Sequence, residues 1–359
     1  MFSVILTIFH ILIALFSLVL VHQGLKKFNT PLYKKLNIPE KYKPFRRTDI
    51  DNWNKWEMYI CSIILFPFRS FMCFVILILF ILTMQVATIG FKLKDPWPES
   101  RLKIFKPLLQ SLAKAYFYAS GFIFIKEKRL RFEDFIPGYK ATELSKGQPS
   151  IIISNHNSQY DTVAYIYKYL PSFISKLSVS KYPIFGQITT SLKSIYVDRS
   201  SEESRQKCIT DLAERVKQIN QGEQYPPVII FPEGTTTNGE FLIPFKRGAF
   251  DPLLPVKICC LKYSKRRFHP VMDVIGIGYM TLFTLNQFLN EVEIIEFQGL
   301  FDPTYLNLQN YPQEQRGEIY AEACRKVMAQ ALGINLIEAT FRDSMEYFDE
   351  YVTGKIKIE

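Results

Sequence analysis

His156 and Asp161 stand five residues apart in Ser154-Asn-His-Asn-Ser-Gln-Tyr-Asp161, directly after the apolar run Ile151 to Ile153. On a regular helix that spacing leaves the two side chains about 140° apart, at about 100° per residue, so they do not meet. They pair only if His156 sits in the turn before the apolar helix that begins near Thr162 and folds back over its first turn. Such a pair suits acyl transfer to a hydroxyl. Neutral imidazole, with a pKa near about 6.5, takes the hydroxyl proton, and a carboxylate on its other nitrogen fixes the tautomer and stabilises the imidazolium. A histidine capping a turn gives the same spacing, so the rest of the chain must decide.

Phe231-Pro-Glu-Gly-Thr-Thr-Thr-Asn238 again follows an apolar strand directly. Gly234 permits close backbone approach, Thr235 and its neighbours offer hydroxyl and amide donors, and Glu233 can accept from a glycerol hydroxyl or orient a neighbour. An ordinary strand-to-loop turn reads the same way. Ser194-Ile-Tyr-Val-Asp-Arg199 closes another strand, and Arg199 can grip a phosphate bidentately or pair with Glu202 or Glu203 at the surface. Phe245-Lys-Arg-Gly-Ala-Phe250 supplies Lys246 as a contact for phosphates of a lipid or of CoA, and Leu254-Pro-Val256 follows.

In that order, Asn155-His156-x4-Asp161, Tyr196-Val-Asp-Arg199, Phe231-Pro-Glu-Gly-Thr235 and Leu254-Pro-Val256 resemble the four blocks of the glycerolipid acyltransferase family, over about residues 60 to 345. Leu65-Phe-Pro-Phe-Arg69, Met328-Ala-Gln-Ala-Leu-Gly-Ile and Thr340-Phe-Arg-Asp343 are similar to the lysophosphatidylcholine acyltransferase branch, and Thr236-Thr-Asn238 after Gly234-Thr235 leans the same way. The resemblance implies His156 as general base with Asp161 as its partner, and Asn155, Arg199, Glu233, Gly234, Thr235 and Lys246 as the substrate-binding set. It implies acyl-CoA as co-substrate, a lysophospholipid as acceptor, an apolar groove or tunnel for the acyl chain, and neither a metal, another cofactor nor a covalent acyl-enzyme. A glycerol-3-phosphate acyltransferase and a non-catalytic lipid-binding protein on the same fold are the alternatives. A metal-dependent hydrolase is harder to assemble, because only His10, His22 and His269 remain and the first two lie in or beside an apolar anchor.

The elements that must carry these residues are short apolar runs alternating with helical patterns. Ile151 to Ile153, Ile195 to Val197, Val228 to Phe231, Leu254 to Cys260 and Val271 to Ile277 are expected as buried strands. Ser200 with Glu203 predicts a capping box, the stripe Ile209, Leu212, Val216 and Ile219 a helix, and Gly222 its stop. The alternation predicts an α/β fold, a mostly parallel twisted sheet flanked by helices and preceded by N-terminal membrane helices. Arg101 to Gly121 is expected as an amphipathic helix with Ile104, Leu108, Leu112 and Ala115 on its apolar face.

Residues 2 to 22 are almost wholly apolar, about the length needed to cross a bilayer, and lack the features of a cleaved signal peptide. The longer stretch Met58 to Phe91 contains Pro67 and Arg69 and has basic flanks on both sides, which fits a re-entrant hairpin breaking near those two residues. The expected division is an anchor with a basic cytosolic loop over 1–56, the second membrane segment over 57–94, the acyltransferase domain over 95–345 and a tail over 346–359. Net charge is +10, with Lys26, Lys27, Lys34, Lys35, Lys41, Lys43, Arg46 and Arg47 between the two apolar stretches. No nucleic-acid motif accompanies that charge, so it reads as attraction to anionic lipid and places the loop, and the catalytic domain, on the cytosolic side. Residence in the endoplasmic reticulum follows from the family resemblance. The six cysteines form no CxxC pair or disulfide spacing, as expected of reduced thiols in the cytosol.

Overall fold

The computed structural model describes residues 2–30, 38–90, 92, 95–198 and 201–353. Helix α1 (Phe2–Phe28) is apolar on every face, and only 17% of its most apolar stretch is covered by the rest of the molecule. A helix that is hydrophobic all round yet uncovered suits lipid and not water. Its one covered stripe, Ala14, Ser17, Val21, Leu25 and Phe28, recurs every three or four residues. The stripe rests on α2 (Lys55–Ile64) and on the later helix α8 (Gly276–Leu285).

The re-entrant hairpin does not form. After a one-residue break at Leu65, the chain continues as a single helix, α3 (Phe66–Thr88), long and apolar enough to cross a membrane. Pro67 lies in its first turn, where the missing N–H has no intrahelical partner to lose. Arg69 is buried and donates to the carbonyls of Leu285, Gln287 and Phe288, so it docks the helix instead of breaking it. Phe66, Arg69, Cys73, Ile76, Phe80, Met84 and Ala87 form its covered stripe, while Phe68, Phe71, Phe74 and Leu82 stay exposed. The amphipathic helix appears as α4 (Glu99–Ala119), packed along α3. Its buried residues are Leu109, Ala113 and Phe117; Ile104 and Leu108, expected on that face, point outward.

The strands are β1 (Phe122–Leu130), β2 (Ile151–Ile153), β3 (Ser172–Lys176), β4 (Ile195–Val197), β5 (Val228–Ile230), β7 (Lys257–Tyr263) and β8 (Asn290–Phe297), joined in the order β1-β8-β7-β2-β5-β3-β4. β6 (Phe241–Leu242) and β9 (Asn335–Leu336) make a separate pair. Every pairing in the large sheet is parallel except β7 with β8. Helices α5 (Tyr160–Tyr169), α6 (Pro183–Ser191), α7 (Glu202–Asn220), α9 (Gln313–Leu332) and α10 (Phe341–Tyr347) complete the domain.

Alternation along the strands builds two cores, one on each face of the sheet. Ile152, Ile229, Cys259 and Leu261 join the core shared with α1, α3, α4, α5 and α8. Ile151, Ile153, Val228, Ile258 and Cys260 join the core under α7 and α9. Adjacent Cys259 and Cys260 therefore pack on opposite faces.

Two strand expectations change. Val271 to Ile277 forms a loop that enters α8, because a short apolar run has no period that separates strand from buried helix. On the side of β7 away from β2 lies β8, with β1 beyond it; neither had been expected. Leu254 to Cys260 becomes Lys257–Tyr263, since Pro255 has no N–H to donate to a ladder. Helix α7 is capped by Ser201, whose hydroxyl accepts from Ser204 N at 3.1 Å; Ser200 lies outside the described residues. The loop 38–53, part of the basic loop expected to face anionic lipid on the cytosolic side, runs back over the domain, and its Arg47 is buried against Asp49 and Asp273.

Candidate active site

β2 and β5 are parallel neighbours, with Ile153 opposite Ile230, so the segments that leave them start side by side at the carboxyl edge of the sheet. Sites in α/β folds are built at that edge. Ser154 N continues the ladder to Ile230 O at 3.1 Å, and the chain then turns sharply into α5.

The turn brings His156 over the helix start, the arrangement its spacing required. His156 Nδ1 lies 2.8 Å from Asp161 Oδ2. The same carboxylate oxygen accepts from Asn157 N at 2.7 Å and Ser158 N at 2.9 Å, and Oδ1 accepts from Tyr263 OH at 2.6 Å. Asp161 is wholly buried and four donors converge on it, so Nδ1 is the protonated ring nitrogen and Nε2 carries the lone pair. Burial and the Asp161 charge push the Tyr263 phenol well above its usual range, which keeps it a donor. The imidazole is about one-quarter exposed, and one face stacks on Phe231 with ring centres 4.2 Å apart. Between Ile151 and Tyr160 only His156 and Gln159 reach the surface.

Asn155 is buried beneath this turn. Its Oδ1 accepts from Leu261 N at 2.8 Å and its Nδ2 donates to Leu261 O at 2.9 Å and to Asn157 Oδ1. Expected in the substrate-binding set, it instead ties the histidine turn to β7, with its amide group taken up within the protein.

Glu233 is likewise drawn inward. Its Oε1 accepts from His156 N at 2.9 Å and Oε2 from Ile243 N at 3.5 Å, and the side chain is 2% exposed. Burial pushes its carboxyl up to about 8, against the opposing pull of those hydrogen bonds and of Arg325. The expected bond to a glycerol hydroxyl is not available in this position; the carboxyl orients the backbone that carries the histidine.

Gly234 adopts φ +72°, and a Cβ there would stand 2.8 Å from Lys246 Cε. The conformation needs glycine and brings the exposed Lys246 side chain across this loop. Thr235 is half-buried beside it. Arg199 lies outside the described residues. The structure therefore gathers His156 and Asp161 from the turn into α5, Glu233, Gly234 and Thr235 from the loop after β5, and Lys246 from the segment after β6, over Asn155.

Tyr263, Phe231 as a stacking partner and the backbone amides of Asn157 and Ser158 were not singled out in the sequence. Tyr263 is 102 residues from Asp161 and no local spacing links them. Among the described residues no three His, Cys, Asp or Glu side chains are grouped to hold a metal ion. A cavity of about 660 Å³ opens at the other end of the strands, around Gly147, Tyr169, Gly222 and Leu300, away from these residues.

Residues 137–261 match the family model described as Acyltransferase. Lysophospholipid acyltransferase LPEAT1 of Arabidopsis thaliana is 34% identical over 252 residues, covering 66% of this chain and 61% of the plant protein. Lysophosphatidylcholine acyltransferase 2 of Mus musculus is 29% identical over 307 residues, covering 84% of this chain and 52% of the mouse protein. Among solved structures, the 1-acyl-sn-glycerophosphate acyltransferase PlsC of Thermotoga maritima covers 77% of this chain and 96% of its own at 16% identity, with a TM-score of 0.49. The chain spans between half and two thirds of the length of the two curated relatives.

Proposed function

We propose that the Acyltransferase-family domain of this chain transfers a fatty acyl group from acyl-CoA to the free hydroxyl of a lysophospholipid, with His156 as general base. The observation that carries the reading is the His156 ring: Nδ1 held by a buried carboxylate that accepts three further hydrogen bonds, the opposite edge left for a substrate. A binding module has no use for a ring held this way.

In the proposed reaction Nε2 takes the proton of the acceptor hydroxyl while its oxygen attacks the thioester carbonyl. The new C–O bond forms, the C–S bond breaks, and the departing CoA sulfur takes the proton back from the imidazolium. Asp161 stabilises the cation in between, and its fixed partners prevent it from rotating away. Phe231 holds the ring plane, and Glu233 holds the backbone on which the ring stands. Lys246 and Arg199 are assigned to substrate phosphates, and the threonines after Gly234 to the acceptor.

The uncovered apolar faces of α1 and α3 bring the domain to a membrane, where both lipid substrates reside. The basic residues that follow α1 assign loop 38–53 to the cytosolic side. The domain goes with it, because that loop is packed on the domain through Arg47 with Asp273 and through Asn238. Residence in the endoplasmic reticulum is carried over from the family resemblance.

The test is transfer of radiolabelled oleoyl-CoA to a panel of lysophospholipids and glycerol-3-phosphate, with membranes carrying wild type or His156→Ala. Acylation of one acceptor, lost in the variant, is the expected result and names the headgroup. No product with any acceptor, or full activity in His156→Ala, overturns the reading in favour of a non-catalytic lipid-binding protein.

A further inference from the structure

The loop between the first two apolar helices is laced into the active site at two points. Asn238, 1% exposed, donates its backbone N–H to Pro44 O at 2.7 Å and its amide hydrogens to Lys43 O and Arg46 O, each at 2.8 Å. Its Oδ1 accepts from Glu240 N at 3.1 Å, so every polar atom of the side chain is engaged. The preceding residue, Thr237, donates its N–H to His156 O at 3.0 Å.

Arg47 makes the second attachment. Buried under Trp53 and Phe268, it pairs with Asp49 and Asp273 and donates to His269 O and to Val271 O. Between those contacts, Met272 donates its N–H to Asn157 O at 2.7 Å. The two consecutive carbonyls of the histidine turn, 156 and 157, are thus each held by an amide on a loop that residues 43–49 hold in turn.

We propose that Asn238 and Arg47 are positioning residues for His156, and that residues 43–49 form a strap through which the membrane-anchor region sets the geometry of the active site. The strap explains why an asparagine closes Thr236-Thr-Asn238: only a side chain with two N–H donors can reach two carbonyls at once. It also explains a buried guanidinium outside the substrate loops, since a planar fork bridges two carboxylates and two carbonyls where an ammonium cannot. The inference rests on the general-base reading of His156 for its catalytic consequence, and on hydrogen bonds alone for its structural one.

The experiment uses the full chain in detergent micelles, as wild type, Asn238→Ala, Asn238→Asp and Arg47→Lys, with turnover and amide hydrogen exchange measured on the same samples. Asn238→Asp keeps the volume and removes both donors. In both Asn238 variants kcat falls roughly 10- to 100-fold while KM for oleoyl-CoA stays within about twofold, as a misplaced base requires. Exchange at Thr237 and Met272 quickens by about tenfold or more, with β7 amides unchanged, which separates local release from unfolding. Arg47→Lys quickens Met272 more than Thr237. Wild-type turnover in both Asn238 variants, or faster exchange spread through β7, overturns the proposal. A wild-type chain that acylates no acceptor, with faster exchange confined to Thr237 and Met272 in the variants, overturns the acyltransferase reading and leaves the strap standing.

Discussion

Replacing Asp161 by asparagine separates the charge of this side chain from its geometry. The oxygen facing His156 is also the oxygen that accepts from Asn157 N and Ser158 N. An amide NH2 in that place would meet two N–H groups head on, so the asparagine must present its carbonyl there and its NH2 to Tyr263. Tyr263 can turn its hydroxyl to accept. The histidine keeps its tautomer, and only the charge behind the imidazolium is lost. A hydrogen bond to a charged group contributes about 1.5–3 kcal/mol and a neutral one about 0.5–1.5. That difference, and weakened Coulomb support for the cation, predict a fall in kcat of about 10- to 100-fold, at about 1.4 kcal/mol per decade. By contrast, Asp161→Leu strands three buried donors at about 1–3 kcal/mol each, a large part of the roughly 5–15 kcal/mol that holds a domain together, and is expected not to fold. The assay is CoA release by the purified protein in micelles, beside a thermal melt. A loss near 10⁴-fold in a normally stable Asp161→Asn would mean a lost tautomer and refute the assigned bonding. Undiminished turnover would refute any role for the charge.

Glu233 supplies a pH test. Its carboxyl is raised from 4.5 to about 8, so the folded chain holds this proton more tightly than the unfolded one. The contribution to stability is fully present below about 4.5 and is lost as pH rises through about 8. Glu233→Gln mimics the protonated form, so wild type should lose melting temperature relative to the variant between pH 5 and about 8.5; a gap that does not change with pH rules this out. Gly234→Ala forces a side chain into φ +72° and against Lys246 Cε. It should cost about 1–2 kcal/mol, lower the melting temperature by about 2–8 °C and raise KM for the acceptor. An unchanged melt would show that the turn is not held as described.

Local pattern was enough for several conclusions. The almost wholly apolar character of residues 2 to 22 marked a lipid-facing helix, because a stretch that is apolar on every face is legible without knowing its neighbours. Three short strands, Ile151–Ile153, Ile195–Val197 and Val228–Ile230, were legible because buried parallel strands are continuous apolar runs. The five-residue interval between His156 and Asp161 also set its own condition, a turn before the helix, and the chain meets it.

What lay outside the sequence was decided by contacts between distant segments. Pro67 and Arg69 read as helix-breaking, yet the proline falls in a first turn that tolerates it and the guanidinium finds three carbonyls near residue 287. Asn155 and Glu233 carried the same signal as substrate-binding residues, and only the packing of β2 between β5 and β7 turns their side chains inward onto Leu261 and His156. Tyr263 reaches Asp161, and Asn238 reaches the strap, across more than a hundred residues. Periodicity along a chain records which face of an element is buried; it carries no record of which donor meets which acceptor once those faces close.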